Sequence, residues 1–469
     1  MDDLSVQLKQ ELFGNDFKWG VSTAAFQNEG AHDAEGKGIS VWDVFSEKKG
    51  KIFEGHHART SCDFYNRYQE DILLIKNLNI PNLRFSVSWP RIMPRGTGKI
   101  NQKGIDYYNR IIDTCLQNQI DPWLTLYHWD LPYDLELKGG WTNRDIISWF
   151  SDYTEVCARH FGDRVKHWIV MNEPMVFTGT GYFMGIHAPG RTGLKNFLPA
   201  VHHSILSMGA AGRILKKTLP NASVGTTFSC SYIEPYTSGL KDIAAAKRID
   251  TLLNRLFVEP VLGMGYPDND LPVLKKLQKY FYPGDEDRLA FDFDFIGIQN
   301  YTREIVKHSI LTPYLNASLI KAKDRKVPLT SMGWEVFPES IYHMIKKYNS
   351  YQKIKKIFIT ENGAAFPDEL IKGEVNDEER KRYIQENLKQ VIRAKNEGFN
   401  VGGYFVWTLT DNFEWAEGYH PRFGLVYTDF DTQERIIKSS GHWYSEFLSS
   451  RSYLNCESND LISSIESRS

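Results

Sequence analysis

The chain has 469 residues, a formal net charge of −2 and 42% hydrophobic residues, enough for one large core or for two or three domains. With no basic run and no Lys/Arg stripe among its aromatics, it offers nothing to hold a polyanion, which argues against nucleic-acid binding. No stretch of 18 apolar residues exists to span a membrane, and the acidic start MDDLSVQLKQELF has neither the basic nor the apolar region of a signal peptide. Five cysteines (Cys62, Cys115, Cys157, Cys230, Cys456), an odd number without CxxC spacing, fit reduced thiols in a cytoplasmic protein better than a disulfide framework or a zinc site. The N-x-S sequons at Asn221 and Asn316 then read as chance matches.

Short apolar runs at 17–23, 83–89, 123–128, 167–173, 223–229, 293–301, 356–361 and 402–409 predict eight strands. Most are apolar on both faces, as parallel strands covered on both sides are. Helical patterns fill the gaps, for example at 62–78, 104–119, 144–162 and 377–398, with no Pro/Ser-rich linker and no internal repeat. Alternating βα units require right-handed crossovers, and eight of them close into a (β/α)8 barrel. A doubly wound open sheet is the competing α/β arrangement, but no GxGxxG or GxxxxGKS loop follows the first strand. The connections after the first, fourth and sixth strands are long, where a barrel builds the walls of its pocket. The expectation is one barrel domain over residues 1–448, with extended βα loops around the pocket. A polar, serine-rich tail over 449–469 is expected to lie outside the fold.

The active site of such a barrel lies at the C-terminal ends of its strands. The polar and aromatic residues to note are Arg84, within its strand, and His128, Trp129, Asn172, Glu173, Tyr301, Glu361, Asn362 and Trp407 at the strand ends. Glu173 in WIVMNEP (168–174) and Glu361 in IFITENG (357–363) stand 188 residues apart, so only a large fold brings them together. Two converging carboxyls are the minimum equipment for cleaving an acetal, one to protonate the leaving oxygen and one to meet the developing oxocarbenium ion. Arg84 and Tyr301 are placed to reach Glu361 and hold it ionised. Glu173 has no cation beside it in sequence, and like-charge repulsion from Glu361 is expected to raise its pKa, as a proton donor requires. Each residue alone has a plainer reading: a helix N-terminal acid or ion-pair partner for either glutamate, a core histidine for His128, a structural cation for Arg84, core packing for the tryptophans. A metal site built from His128, Glu173 and Glu361 would lack HExxH or clustered spacing, so neither metal nor cofactor is expected. The 13% aromatic content also suits sugar rings, whose C–H faces stack on π surfaces, although a large core accounts for it equally.

Taken in order, FQNEGA (26–31), VWDVF (41–45), LRFSVSWPRIMPRG (83–96), TLYHWDLP (125–132), WIVMNEP, YFMGIHAPG (182–190), ITENG (359–363) and WTLTDNFEWAEGYHPRFGL (407–425) resemble glycoside hydrolase family 1, the β-glucosidase family. The resemblance runs from about Phe17 to Phe447. It implies a TIM barrel and a retaining double displacement on non-reducing terminal β-D-glucosyl units, with β-D-galactosyl or β-D-fucosyl units as side substrates. It further implies Glu361 as nucleophile, Glu173 as acid/base, and Asn172 as partner of the sugar 2-hydroxyl. Arg84 and Tyr301 would orient Glu361. Gln27, His128, Trp129, Trp407, Glu414 and Trp415 would bind substrate, with Gln27 and Glu414 as a fork for the outer hydroxyls and Trp334 as a platform near the cleavage point. The carboxyls of a retaining pair would stand about 5–5.5 Å apart.

Glu173 is not glutamine, which argues against the thioglucosidase branch. Glu414 and Trp415 argue against a 6-phospho-β-glucosidase, and the presence of both carboxylates argues against a non-catalytic sugar-binding relative. Val170 replaces a common threonine. The usual asparagine-tyrosine-tyrosine reads Gln299, Asn300, Tyr301. Met175 stands where many relatives carry tryptophan, so the leaving-group side is the part least readable by analogy. A small-molecule β-glucoside or oligosaccharide is the partner expected, and neither nucleic acid nor membrane.

Overall fold

The computed structural model describes residues 8–449; residues 1–7 and all of the expected 449–469 tail except Ser449, which ends a helix, lie outside the described residues. Every predicted strand forms: β1 (Lys18–Ser22), β2 (Asn82–Ser86), β3 (Asp121–Tyr127), β4 (His167–Asn172), β5 (Ser223–Ser229), β6 (Phe295–Gln299), β7 (Ile357–Asn362) and β8 (Val401–Trp407). Each pairs with its sequence neighbour, and β8 returns to β1 with Lys18 opposite Gly403 and Ser22 opposite Trp407, closing a parallel barrel. The principal helices are α1 (Phe64–Asn77), α2 (Gln102–Gln117), α3 (Ile146–Phe161), α4 (Leu194–Thr218), α5 (Leu240–Asp250), α6 (Glu339–Asn349) and α7 (Glu378–Asn396). In α2 the buried set Ile105, Tyr108, Ile111, Ile112 and Cys115 recurs at helical spacing and faces the barrel. The connection after β5 (230–294) is as long as the three expected ones and contains α5, so four connections, not three, are extended.

The barrel interior is built in layers. Trp123, Ile169, Phe295, Phe358 and Phe405 pack together as an aromatic floor. Two glycines make room for it: a Cβ on Gly20 would lie 2.4 Å from the Phe405 ring, and one on Gly225 would lie 2.3 Å from the Phe295 ring. Above the floor comes a layer of small hydroxyls. Thr227 Oγ1 meets Thr360 Oγ1 at 2.5 Å, and Ser22 Oγ donates to the Thr360 carbonyl at 2.7 Å. This filled base leaves the longer polar side chains only one direction, upward into the mouth. On the outside, Phe13 and Trp19 pack edge-on against Phe447, and Gln10 Nε2 donates to the Phe447 carbonyl at 2.7 Å, pinning the N-terminal segment to the last helix (439–449).

Candidate active site

Both glutamates sit just after a break in strand register. β7 slips against β6 between Ile359 and Glu361, and β4 slips against β5 between Ile169 and Asn172. Such irregularities re-aim the side chains that follow them. Glu173 also adopts a left-handed backbone conformation (φ 44°), as do Trp129 (φ 79°) and Trp415 (φ 50°). Non-glycine residues enter that region rarely, and where they do the surrounding structure must hold them there. Pro174, with its φ preset for a helix start, then opens the short helix Pro174–Thr178.

The two carboxyls belong to one hydrogen-bond network but have different neighbours. Glu361 Oε1 is closely paired with Arg84 Nη1 and accepts from Gln299 Nε2 at 2.5 Å, while its Oε2 accepts from the Tyr301 hydroxyl at 2.7 Å. Arg84 Nη2 and Gln299 Nε2 both donate to Asn172 Oδ1, the latter at 2.7 Å. Asn172 Nδ2 faces His128 Nε2 at 3.0 Å and Glu173 Oε2 at 3.5 Å. Glu173 therefore has one long amide contact, against a guanidinium, an amide and a phenol at Glu361.

Burial pushes both carboxyls above the ordinary range. At Glu361 the rise is opposed by Arg84 and Tyr301; at Glu173 the negative charge of Glu361 adds to it, and the proton is held well above the usual value. Like-charge repulsion, the cause expected from the sequence for Glu173, is the second contribution, and burial is the first. Removal from water penalises the charged form whatever the neighbours are. Burial, helped by the positive Arg84, keeps His128 neutral.

The glutamates open into a cavity of about 480 Å³. Of the residues expected there, Gln27, His128, Trp129, Tyr301, Trp334, Trp407, Glu414 and Trp415 line it, whereas Arg84 and Asn172 lie beneath, bonded to other site residues. Gln27 Nε2 donates to Glu414 Oε2 at 3.3 Å and to the Phe413 carbonyl at 3.0 Å, forming the expected fork. Trp415 packs against Trp129 (4.5 Å between centroids) and Trp42 (4.6 Å), which fixes its indole. Burial and the charge of Glu361 push the Glu414 carboxyl up to about 8.

Gln299, which the sequence offers only as the surviving amide of the asparagine-tyrosine-tyrosine segment and not as a named site residue, ends β6 and touches both Glu361 and Asn172. Met175, the departure from the family pattern, does not line the cavity. It packs against the core with its Cε toward Gly179, where a Cβ would come within 2.9 Å. Among the described residues no cluster of three His, Cys, Asp or Glu side chains is disposed to hold a metal ion, and no helix is long and apolar enough to cross a membrane.

Comparison with known proteins agrees with the barrel fold. The family model for glycosyl hydrolase family 1 matches residues 9–453. A 1,4-β-D-glucan glucohydrolase from Thermotoga neapolitana is 43% identical across 93% of this chain and 98% of its own length. β-Glucosidase A from Acetivibrio thermocellus is 42% identical across 94% and 99%. The solved family 1 β-glucosidase from Thermotoga maritima superposes with a TM-score of 0.89 at 42% identity, covering 93% of this chain and 98% of that one, and that enzyme has also been solved in complex with deoxynojirimycin. A closed barrel with these relatives along nearly its whole length has one classification: the chain belongs to glycosyl hydrolase family 1.

Proposed function

We propose that the protein is a retaining β-glucosidase that releases non-reducing terminal β-D-glucosyl units, with β-D-galactosyl and β-D-fucosyl units as side substrates. The observation that carries this reading is the unequal setting of two buried carboxyls in one cavity, Glu361 held by Arg84, Gln299 and Tyr301, and Glu173 by a single long amide contact. Glu361, the easier to ionise, attacks the anomeric carbon while Glu173 gives its proton to the departing oxygen. The glycosyl ester on Glu361 is then attacked by water, whose proton returns to Glu173, and Glu361 leaves as the carboxylate. Arg84 and Tyr301 orient the nucleophile. Asn172 Nδ2, beside His128 and Glu173, is the donor that reaches the 2-hydroxyl.

Gln27 and Glu414 grip the outer hydroxyls, and His128, Trp129, Trp407 and Trp415 enclose the ring. A site that pairs this many hydroxyls rejects ligands lacking them, because buried polar groups left unmatched are costly. Among the described residues no Lys or Arg lines the cavity, and the fork itself carries a carboxyl, so a sugar 6-phosphate would meet no described cation there. We also assign the protein to the cytoplasm, a reading supported by Cys62, Cys115, Cys157 and Cys230, all buried as free thiols. Hydrolysis of 4-nitrophenyl β-D-glucoside should proceed readily and that of its 6-phosphate poorly; a strong preference for the phosphate would overturn the assignment.

A further inference from the structure

The cavity has walls used neither by the two glutamates nor by the hydroxyl fork. Val176, Ile186, Leu253 and Met332 supply apolar surface, and two more carboxyls face it, the exposed Glu417 and the half-buried Glu304. Glu304 lies on the strand Arg303–His308, which pairs with Tyr232–Pro235. Strand alternation sends Arg303 and Glu304 to opposite faces. On its face Arg303 grips Glu335 (2.9 and 2.8 Å) and Glu234 (2.8 Å), and Arg325 also binds Glu335, at 2.6 Å. Both cations are thus committed elsewhere. Among the described residues Glu304 has no hydrogen bond or ion pair, and this unmatched acid is among the residues lining the cavity. Burial pushes it up to about 7, with the attraction of Arg325 opposing the rise.

The same segment carries an indole. Thr302 Oγ1 donates to the Glu335 carbonyl at 3.0 Å, which draws the 330–335 loop against this strand, and the Trp334 ring stands 5.4 Å from that of Tyr301. Tyr301 in turn bonds Glu361, so Trp334 and Glu304 line the same cavity as the nucleophile, on the segment that carries Tyr301 and the loop packed against it. The proposed fork has the same pair, Glu414 beside Trp415: an aromatic face suited to the C–H surface of a pyranose and a carboxyl suited to its hydroxyls.

We propose that Glu304 is the specificity-determining residue for the leaving group, accepting hydrogen bonds from hydroxyls of a second sugar whose ring lies on Trp334. The preferred substrates are then β-linked gluco-oligosaccharides, ahead of glucosides of simple phenols or alcohols. This inference rests on the β-glucosidase reading and extends it to the far side of the scissile bond.

The test compares kcat/KM for cellobiose and for 4-nitrophenyl β-D-glucoside in the unaltered protein, Glu304→Gln and Glu304→Leu. Losing a hydrogen bond to a charged acceptor corresponds to roughly tenfold or more. Both variants should lose at least about that much on cellobiose while staying within about threefold on the aryl glucoside, which offers the carboxylate no hydroxyls. Retained aryl-glucosidase activity also shows that the variants are folded. Equal losses on both substrates, or an unchanged ratio in an active variant, would overturn the assignment of Glu304 alone. An unaltered protein inactive on 4-nitrophenyl glucoside would instead overturn the β-glucosidase reading, and this inference with it.

Discussion

Glu173 and Glu361 are the same amino acid, and their neighbours alone distinguish them. The proposed mechanism requires Glu361 ionised and Glu173 protonated. The kcat/KM profile should therefore rise as the pair loses its first proton and fall as it loses the second, both steps lying above the ordinary carboxyl range of about 4 because burial raises both. Glu173→Gln should abolish the alkaline limb and lower kcat/KM for a poor leaving group by about 10²–10⁴, with a far smaller effect on the first step of a dinitrophenyl glucoside, which needs no proton. An alkaline limb that survives in this variant would contradict the role given to Glu173. Glu361→Gly should be inactive and regain turnover when azide is added, since the small anion fits where the carboxylate stood. The sequence exposed Glu173, Glu361 and Tyr301 because each closes or follows a recognisable strand, and Arg84 because a cation inside an apolar strand is conspicuous. The contacts of Gln299 and the dominance of burial at Glu173 were hidden, because both depend on which residues distant in the chain come to surround them.

Strands and turns determine how accurately those residues are aimed. Gly363 follows β7 directly, and a Cβ on it would lie 1.9 Å from the Trp407 carbonyl oxygen of β8. The obstacle is backbone, so in Gly363→Ala one strand end must move, and Glu361 moves with β7. A displacement near 1 Å corresponds to about 10²-fold in rate, and forced overpacking typically costs about 1–3 kcal/mol. A variant with unchanged kcat and melting temperature would show that the two strand ends are not so tightly fixed. Ser40 offers a milder case: its capping box starts the helix Val41–Ser46, whose Trp42 supports Trp415. Ser40→Ala should cost about 1 kcal/mol and raise KM more than it lowers kcat, read from denaturant unfolding and steady-state kinetics. The eight strands were legible because runs apolar on both faces have few other uses. The extended connection after β5 and the register slips before both glutamates were not, since loop paths and bulges follow from packing that no local pattern encodes.

Across the whole molecule, the end of the barrel chain is fastened by a buried cluster of charges. Lys438 Nζ lies 2.5 Å from Asp368 and 2.7 Å from Asp411, Arg380 joins Asp368 at 3.0 Å, and Arg422 joins Asp411 at 2.8 Å. Lys438→Met leaves two buried carboxylates short of a cation and should destabilise the fold by about 3–5 kcal/mol in chemical denaturation; a loss under about 1 kcal/mol would remove the cluster from the account. Burial alone would push the Asp411 carboxyl up, but Lys438, Arg422 and Arg380 outweigh it and hold it below its ordinary value. A carboxyl depressed in the folded state stabilises fully above its unfolded pKa of about 4, and that stability is lost as pH falls through the lower folded value. The closed barrel could be anticipated from eight alternating units, whereas this charged clasp could not, because its members are scattered from Asp368 to Lys438 without a motif. All of these devices serve the proposed arrangement, in which a nucleophile and a proton donor act on one anomeric centre. The most direct test of that claim is NMR of the sugar first released from a β-glucoside: two displacements predict the β anomer, and initial release of the α anomer would contradict them.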